Sequence, residues 1–415
     1  MSNLPIDWGI HALSDIVDPA RPITYGIVQT GENVSDGVPC VRVVDLQRDD
    51  ISLNNIIRTT EKISNSYKRT ILKEHDLVLA LRGEIGKVVK VPAALIGANL
   101  TRGVALIAPN LSIVFSDFLL QSIKSDYVKL EILNQVNGSA LQEIPIGGLR
   151  RILIPLPPLP EQRAIAAILS TWDEAITLTT RLIDALKRRK AALMQLLLTG
   201  EVRFSEFDGA WEIVELTDLG KTYAGLSGKS ANDFGKGKRY IPYMNIFSNS
   251  VINPDWTQLV QVSEHERQNQ VQYGDIFFTT SSETPDEVGM SAVLLNAVQD
   301  VYLNSFCFGF RLHNFEKLLP EYARFLFRSK EFRQQIFALA QGSTRYNLSK
   351  RELMKMIVEL PNKNEQIKNA DVLSHAEIMI DSLVQHRGHL ITQKRGLMQQ
   401  LLTGAIRVQG GEVAE

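Results

Sequence analysis

The feature that most restricts this chain is that part of it is written twice. A shift of 204 residues lays 138–204 on 342–408 without a gap, and 21 of the 67 positions are identical, where ordinary composition gives about 4 by chance. Leu156-Pro157 falls on Leu360-Pro361, Glu161-Gln162 on Glu365-Gln366, and Leu197-Leu198-Thr199-Gly200 on Leu401-Leu402-Thr403-Gly404. Gly138-Ser139 likewise falls on Gly342-Ser343, and each copy closes on an arginine, Arg203 or Arg407. A fainter echo opens each half, where Trp8, Leu13 and Asp15 repeat as Trp211, Leu216 and Asp218. The fold must therefore use one structural unit in two places. At 415 residues the chain has room for two or three domains.

The repeated blocks predict long helices. Each is entered beside proline, at Pro155, Pro157, Pro158 and Pro160 or at Pro361, where Asn362 followed by Glu365 has the spacing of a capping box. Each leaves at Gly200 or Gly404, the residue type suited to a left-handed C′ position. Between Glu161 and Leu198 there is no Pro or Gly, which allows about 57 Å of helix. Apolar residues advance every 3.5 positions, through Ile165, Leu169, Trp172, Ile176, Ile183, Leu186 and Leu193, as in a coiled-coil seam. The second copy keeps the register through Leu373, Ile380, Leu383, Leu390 and Leu397, with Asn369, Arg387 and Lys394 making its seam weaker. Two unrelated surface helices would have to share length, register and caps by accident, so the two are expected to pack on each other.

The blocks between, about 5–144 and 205–348, diverge. They mix short apolar runs (Leu77–Leu81, Asp275–Thr280) with a helical stretch, Tyr322–Leu339. His-Asp-Leu-Val-Leu-Ala at 75–80 answers Gly-Asp-Ile-Phe-Phe-Thr at 274–279, each reading as a strand that leads into a glycine-bearing loop. The expected fold class is α+β: two α/β domains separated by two long antiparallel coiled-coil helices, with a pseudo-two-fold internal repeat. The expected boundaries are 1–150 and 205–355 for the variable domains, 151–204 and 356–408 for the helical spacers, and 409–415 for a tail.

Catalytic constellations are missing. Ala224–Ser230 imitates the end of a phosphate-binding loop, but Tyr223 stands where its first glycine belongs. His386 and His389 share a helix face without a third ligand, and no nucleophile elbow, zinc-protease motif, dinucleotide fingerprint or Asn-Pro-Pro-aromatic loop occurs. Cys40 and Cys307 are too few and too far apart for a disulfide framework or a thiolate zinc site, which suits a reducing cytoplasm. Met1–Leu13 lacks the layout of a secretory signal, and no run approaches 18 apolar residues.

With 45 basic against 46 acidic side chains, attraction to nucleic acid must be local. Between Lys221 and Tyr240 five cations (Lys221, Lys229, Lys236, Lys238 and Arg239) face one anion, Asp233, among four glycines and Tyr223, Phe234 and Tyr240. Glycines let backbone approach phosphates, cations neutralise them, and aromatics stack. A second cluster spans Arg328 to Lys355, with Lys330, Arg333, Arg345, Lys350 and Arg351. Arg345, Tyr346 and Asn347, beside Gly342-Ser343, either contact bases or structure the turn. Ser281 joins them as a candidate. In the first half the candidates are Arg82 and Lys87 about the Gly83–Gly86 loop, and Arg102. Each taken singly is as compatible with a solvated surface charge.

Where Pro155-Leu156-Pro157-Pro158-Leu159-Pro160-Glu161-Gln162 enters a long helix that leaves at Leu197-Leu198-Thr199-Gly200, and the plan returns at 361–407, the chain resembles the specificity subunit of a type I restriction-modification enzyme over nearly its whole length. Lys363 and Asn364 depart from the proline-rich entry in the second copy. The resemblance implies two target recognition domains, each reading half of a bipartite double-stranded DNA sequence. It implies helical spacers that dock two modification subunits, and separate restriction or motor subunits. It implies no catalysis and no cofactor in this chain, with S-adenosylmethionine and adenine methylation belonging to the partners. Because the two readers differ, the target should be asymmetric. An adaptor that holds two protein-binding domains apart on a rod stays open from the residues alone. A self-sufficient methyltransferase or nuclease would need the missing motifs.

Overall fold

The computed structural model describes residues 4–47, 50–137, 142–342 and 345–408. The expected tail 409–415, and Gly138, Ser139 and Ser343 of the repeat, lie outside these. Two compact units emerge, and they do not follow the blocks in chain order. The first takes Met1–Thr180 with Gln385–Glu415, the second Arg181–Val384. The long helices Leu159–Leu198 and Lys363–Leu401 each give one half to each unit.

Within the first unit a four-stranded antiparallel sheet runs in the order Thr24–Tyr25, Val104–Ile107, Leu77–Ala80, Val88–Lys90. Beside it a three-stranded sheet places Val38–Val41 between Ile57–Thr59, antiparallel, and Asn99–Leu100, parallel. A third, two-stranded sheet pairs Gly9–Ala12 with Leu153–Leu156, the apolar lead into the first long helix. The second unit repeats all three. Its four-stranded sheet runs Gly220–Ala224, Cys307–Leu312, Ile276–Thr279, Ser291–Val293. Phe234–Ile241 lies between Gln258–Val260 and Val301–Leu303 with the same senses, and Glu212–Glu215 pairs with Ile357–Leu360. The diverged blocks thus keep one topology.

The central strands read as unbroken apolar runs because both of their faces are covered. Leu77 and Leu79 point into a core with Phe118, Leu119, Ile165 and Leu169, while Val78 and Ala80 point into another with Val41, Val104 and Leu106. In the second unit Ile276 and Phe278 join Phe308, Phe310 and Phe327, and Phe277 joins Ile241, Ile246 and Ala292. Before each strand a buried aspartate closes the turn. Asp76 accepts from the backbone amide of Lys73 at 2.7 Å and from Arg21 at 2.8 and 2.6 Å. Asp275 accepts from the amide of Gln272 at 2.8 Å and from Arg311 at 2.7 and 2.6 Å. The stretch expected as one helix over Tyr322–Leu339 is two, Pro320–Leu326 and Lys330–Leu339. Ser329 breaks it by accepting from the amide of Phe332 at 3.2 Å as the second helix's N-cap.

The repeated Glu-Gln and terminal Arg now have a physical role. Gln162 accepts from the Phe115 amide at 2.7 Å and donates to the carbonyls of Ile113 and Pro157 at 3.1 and 2.8 Å. Gln366 does the same with Leu319, Lys317 and Pro361 at 3.0, 2.7 and 2.9 Å. Each glutamine thus ties its helix start to its own variable block. Each glutamate is bridged crosswise. Arg407 donates to both oxygens of Glu161 at 2.8 Å, and Arg203 to both oxygens of Glu365 at 2.8 Å. The crosswise pattern recurs along the helices, where Lys394 meets Asp173 at 2.6 Å in the first unit and Lys190 meets Glu377 in the second. Moving back from Asp173 to Glu161 moves forward from Lys394 to Arg407, so within each unit the helix halves run antiparallel. Burial in the second unit pushes the Lys190 ammonium down to about 8, and the nearby Arg324 charge adds to the effect.

All twelve expected seam residues are buried or half-buried. Ile165, Leu169, Leu397, Leu401 and Leu402 join the first unit's core, and Leu193, Leu197, Leu198 and Leu373 the second's. Gly200 and Gly404 sit at φ of 72° and 71°, the left-handed stop expected of them. The capping box is half made: Asn362 Oδ1 accepts from the Glu365 amide at 3.0 Å, while the Glu365 carboxylate turns to Arg203.

Candidate nucleic-acid interface

The apolar strands leave the core at equivalent points, and the candidate residues gather there. In the second unit Ser281-Ser282 pairs antiparallel with Tyr346-Asn347, with Ser281 opposite Asn347 and Ser282 opposite Tyr346. Directly opposed residues project on one face of the ladder. Arg345 Nε donates to Ser281 Oγ at 3.2 Å, and its guanidinium lies 5.8 Å from the centre of the Phe306 ring. Tyr243 Oη donates to the Ser281 carbonyl at 3.0 Å. Ser281 is thus brought beside Arg345 and Asn347, at least 64 residues away in sequence, while Tyr346, on the other face of the ladder, packs against the second unit's core. Phe306, which the sequence reading passed over, is 56% exposed. An exposed aromatic under an arginine is a stacking surface of the kind nucleic-acid binders use.

The first unit builds the corresponding place from different residues. Arg82 forms an antiparallel bridge with Glu143, and Asn137 bridges Glu143 just as Gln341 bridges Asn347. The exposed Arg82 lies against Gly103, and Arg102 beside it is exposed too. Glu143 and Gly103 carried no motif to flag them, although the 204-residue shift already sets Glu143 on Asn347. Lys87 is held by Glu84 at 2.9 Å, within the loop turned by Gly83 and Gly86 at φ of 69° and 81°. With Ile85, Lys129, Ile132 and Leu133 it lines an open cleft of about 500 Å³.

The basic glycine-rich segment divides. Lys236, Lys238 and Arg239 are exposed on the strand Phe234–Ile241, where Gly235 and Gly237 at φ of 93° and 99° accompany a register shift between Phe234 and Lys238. Lys236 and Arg239 make no ion pair among the described residues, while Lys238 reaches Asp300 at 2.6 Å. Lys229 stands apart from these. Its side chain is 5% exposed and paired with Glu266, whose carboxyl it pulls down to about 2, so its charge is already spent within the protein. The Arg328–Lys355 cluster divides likewise. Arg328 donates to the carbonyls of Ser291, Ile246, Phe247 and Asn249 at 2.6 to 3.2 Å, and burial pushes its guanidinium down to about 10. Arg333 donates to the carbonyls of Gly289, Asp286 and Val288 at 2.7 Å. Both arginines brace the fold rather than offer charge to a ligand.

Among the described residues no group of three or more His, Cys, Asp or Glu side chains has the geometry to hold a metal ion. Cys40 and Cys307 are buried, with thiols pushed up by burial, and His386 and His389 are exposed on the second long helix. No described helix is long and apolar enough to cross a membrane.

Comparison with known proteins bears on what such paired patches serve. The family model described as "Type I restriction modification DNA specificity domain" matches residues 5–188 and again 209–389. The specificity subunit of the type I restriction enzyme EcoBI of Escherichia coli is 29% identical over 162 residues, 39% of this chain and about a third (34%) of that relative. A putative type I restriction enzyme MjaX specificity subunit of Methanocaldococcus jannaschii is 24% identical over 438 residues, 99% of this chain and 96% of that one. Among solved structures, a chain from work on assembly and conformational transition of the type I R-M system superposes with a TM-score of 0.63 at 18% identity, covering 97% of this chain and 100% of that one.

Proposed function

The chain belongs to the type I restriction-modification DNA specificity family, and from that premise we propose that each recognition block reads one half of an asymmetric bipartite DNA sequence. In this reading the helical blocks set the gap between the half-sites and dock two adenine-methyltransferase subunits. Those partners carry S-adenosylmethionine, restriction or motor subunits complete the assembly, and the isolated chain neither methylates nor cuts. The observation that carries the proposal is a contrast. Topology, glutamine ties and crosswise ion pairs are the same in both units, whereas the polar residues at the strand exits differ, with exposed Arg82 beside half-buried Glu143 in one and exposed Arg345 and Asn347 about buried Ser281 in the other. One scaffold with two sets of side chains suits two copies of one partner and two different stretches of DNA.

Gel shift on short duplexes separates a DNA reader from a protein-binding adaptor, since an adaptor leaves the duplexes free. Mapping methylated adenines in cells that carry this chain with its modification subunits should give one bipartite sequence with unlike halves. A palindromic or single-block motif would overturn the proposal. The spacing role has its own test. Because both long helices run through both units, a four-residue insertion near Ala185 has to be matched by one beside Val384. Each adds about one turn, or ~6 Å. The methylated gap should then widen by one or two base pairs, at ~3.4 Å per pair, with both half-sequences kept.

A further inference from the structure

The two strand exits differ in a reciprocal way. The Leu81 amide donates to the Gly103 carbonyl at 2.9 Å, and the Thr280 amide to the Phe306 carbonyl at 2.9 Å. The Ile144 amide donates to Leu81 and the Leu348 amide to Thr280, again at 2.9 Å. These bonds make Arg82 and Ser281 one structural position, and Gly103 and Phe306 another. In the first unit a guanidinium lies over that second position from the first strand: a Cβ on Gly103 would stand 2.8 Å from Arg82 Nε and 3.4 Å from its Cζ. In the second unit a guanidinium lies over it from the other strand, as Arg345 covers the Phe306 ring and is steadied by Ser281. The sequence position answering Arg345 in the first copy is Leu141, outside the described residues, and the position answering Arg82 in the second is Ser281. Each half therefore has one arginine for this place, taken from opposite strands.

Both arginines are exposed with donors unspent. Among the described residues Arg82 makes no side-chain hydrogen bond or ion pair, and Arg345 donates only through Nε. Their forks differ in this from Arg328 and Arg333, which are consumed by carbonyls. Glu143, directly across from Arg82, would repel a phosphate, so the place suits a base edge rather than the DNA backbone. Guanine offers O6 and N7 together to a guanidinium in the major groove. We infer that Arg82 and Arg345 are equivalent specificity-determining residues, each presenting its guanidinium to a guanine in its own half-site. This rests on the DNA-reading function proposed above.

The test is to express the full chain with its modification subunits and map methylated adenines for the native chain, Arg82→Gln and Arg345→Gln. Each variant should relax one guanine position, by about tenfold or more in discrimination, in a different half of the target. The half left unchanged reports that the complex is folded and active. Gly103→Ala, whose Cβ would displace the Arg82 guanidinium without removing it, should relax the same position as Arg82→Gln, and it keeps the inference open to refutation if Arg82→Gln fails to assemble. Relaxation of the same half by both arginine variants would overturn the inference. So would uniformly weaker methylation with a shallower salt dependence and no change of sequence, the mark of phosphate contacts. If the native complex methylates no bipartite sequence at all, it is the DNA-reading function itself that falls.

Discussion

Replacing Leu169 by alanine tests the crosswise construction of the two units. Leu169 is fully buried, and its core includes Ile165 from its own helix together with Met398 and Leu401 from the second long helix. Truncating a leucine at such a site removes its transfer energy and leaves a cavity, a cost of about 3 kcal/mol or more. In a unit of this size that lowers the melting temperature by about 6–12 °C and raises opening-limited amide exchange about a hundredfold within the unit. Hydrogen exchange read by mass spectrometry should show the faster exchange in peptides from 77–107, 159–180 and 385–401, with 363–384 close to native although it lies on the same helix as 385–401. Leu373→Ala, the repeat-related change, should do the converse, loosening 181–198 and 363–384. Equal acceleration along the whole second helix in either variant would refute the division of that helix between two cores.

The helix stops should be unequal: Gly404→Ala should cost more than Gly200→Ala, because beyond the left-handed strain of about 1–2 kcal/mol that both share, its Cβ would stand 2.5 Å from Pro5 Cδ, against 3.2 Å from the Trp211 ring at Gly200. Thermal melting of the two variants ranks them. The Lys229–Glu266 pair should be pH-sensitive on the acid side. The Glu266 carboxyl is held at about 2 in the folded chain against roughly 4.3 when unfolded, so its stabilisation is complete above about pH 4.5 and fades as pH falls toward 2. Carboxyl NMR titration of Glu266 checks the value, and Glu266→Gln should remove that stretch of the stability profile. For DNA binding, Lys236→Ala and Arg239→Ala should each flatten the salt dependence by roughly 0.9, with Lys238→Ala giving less because Asp300 already engages it. Titrations at several salt concentrations read the slopes directly.

Much of the architecture is determined locally, and the sequence by itself determines it. The 3.5-residue stripe, the glycines at 200 and 404 and the prolines at 155–160 set two long helices. Uniformly apolar runs set the central strands, because a strand covered on both faces must be apolar at every position. The doubled Glu-Gln and arginine signatures also announce a twofold plan, but they are equally compatible with two pairings, Glu161 with Arg203 of its own copy or with Arg407 of the other. Only the tertiary structure decides, and its reason is geometric. The first long helix passes from one unit into the other, so Glu161 shares its unit with Arg407, which follows the end of the antiparallel second helix, and Arg203 shares the other unit with Glu365. The surface was less legible for a similar reason. Counting cations could not tell Lys229, spent on Glu266, or Arg328, spent on four carbonyls, from Lys236 or Arg239, because charge is a property of composition and availability a property of neighbours. Nor could strand patterns show Arg82 and Arg345 arriving at one place from opposite strands, since that equivalence exists only in the hydrogen bonds between segments remote in the chain.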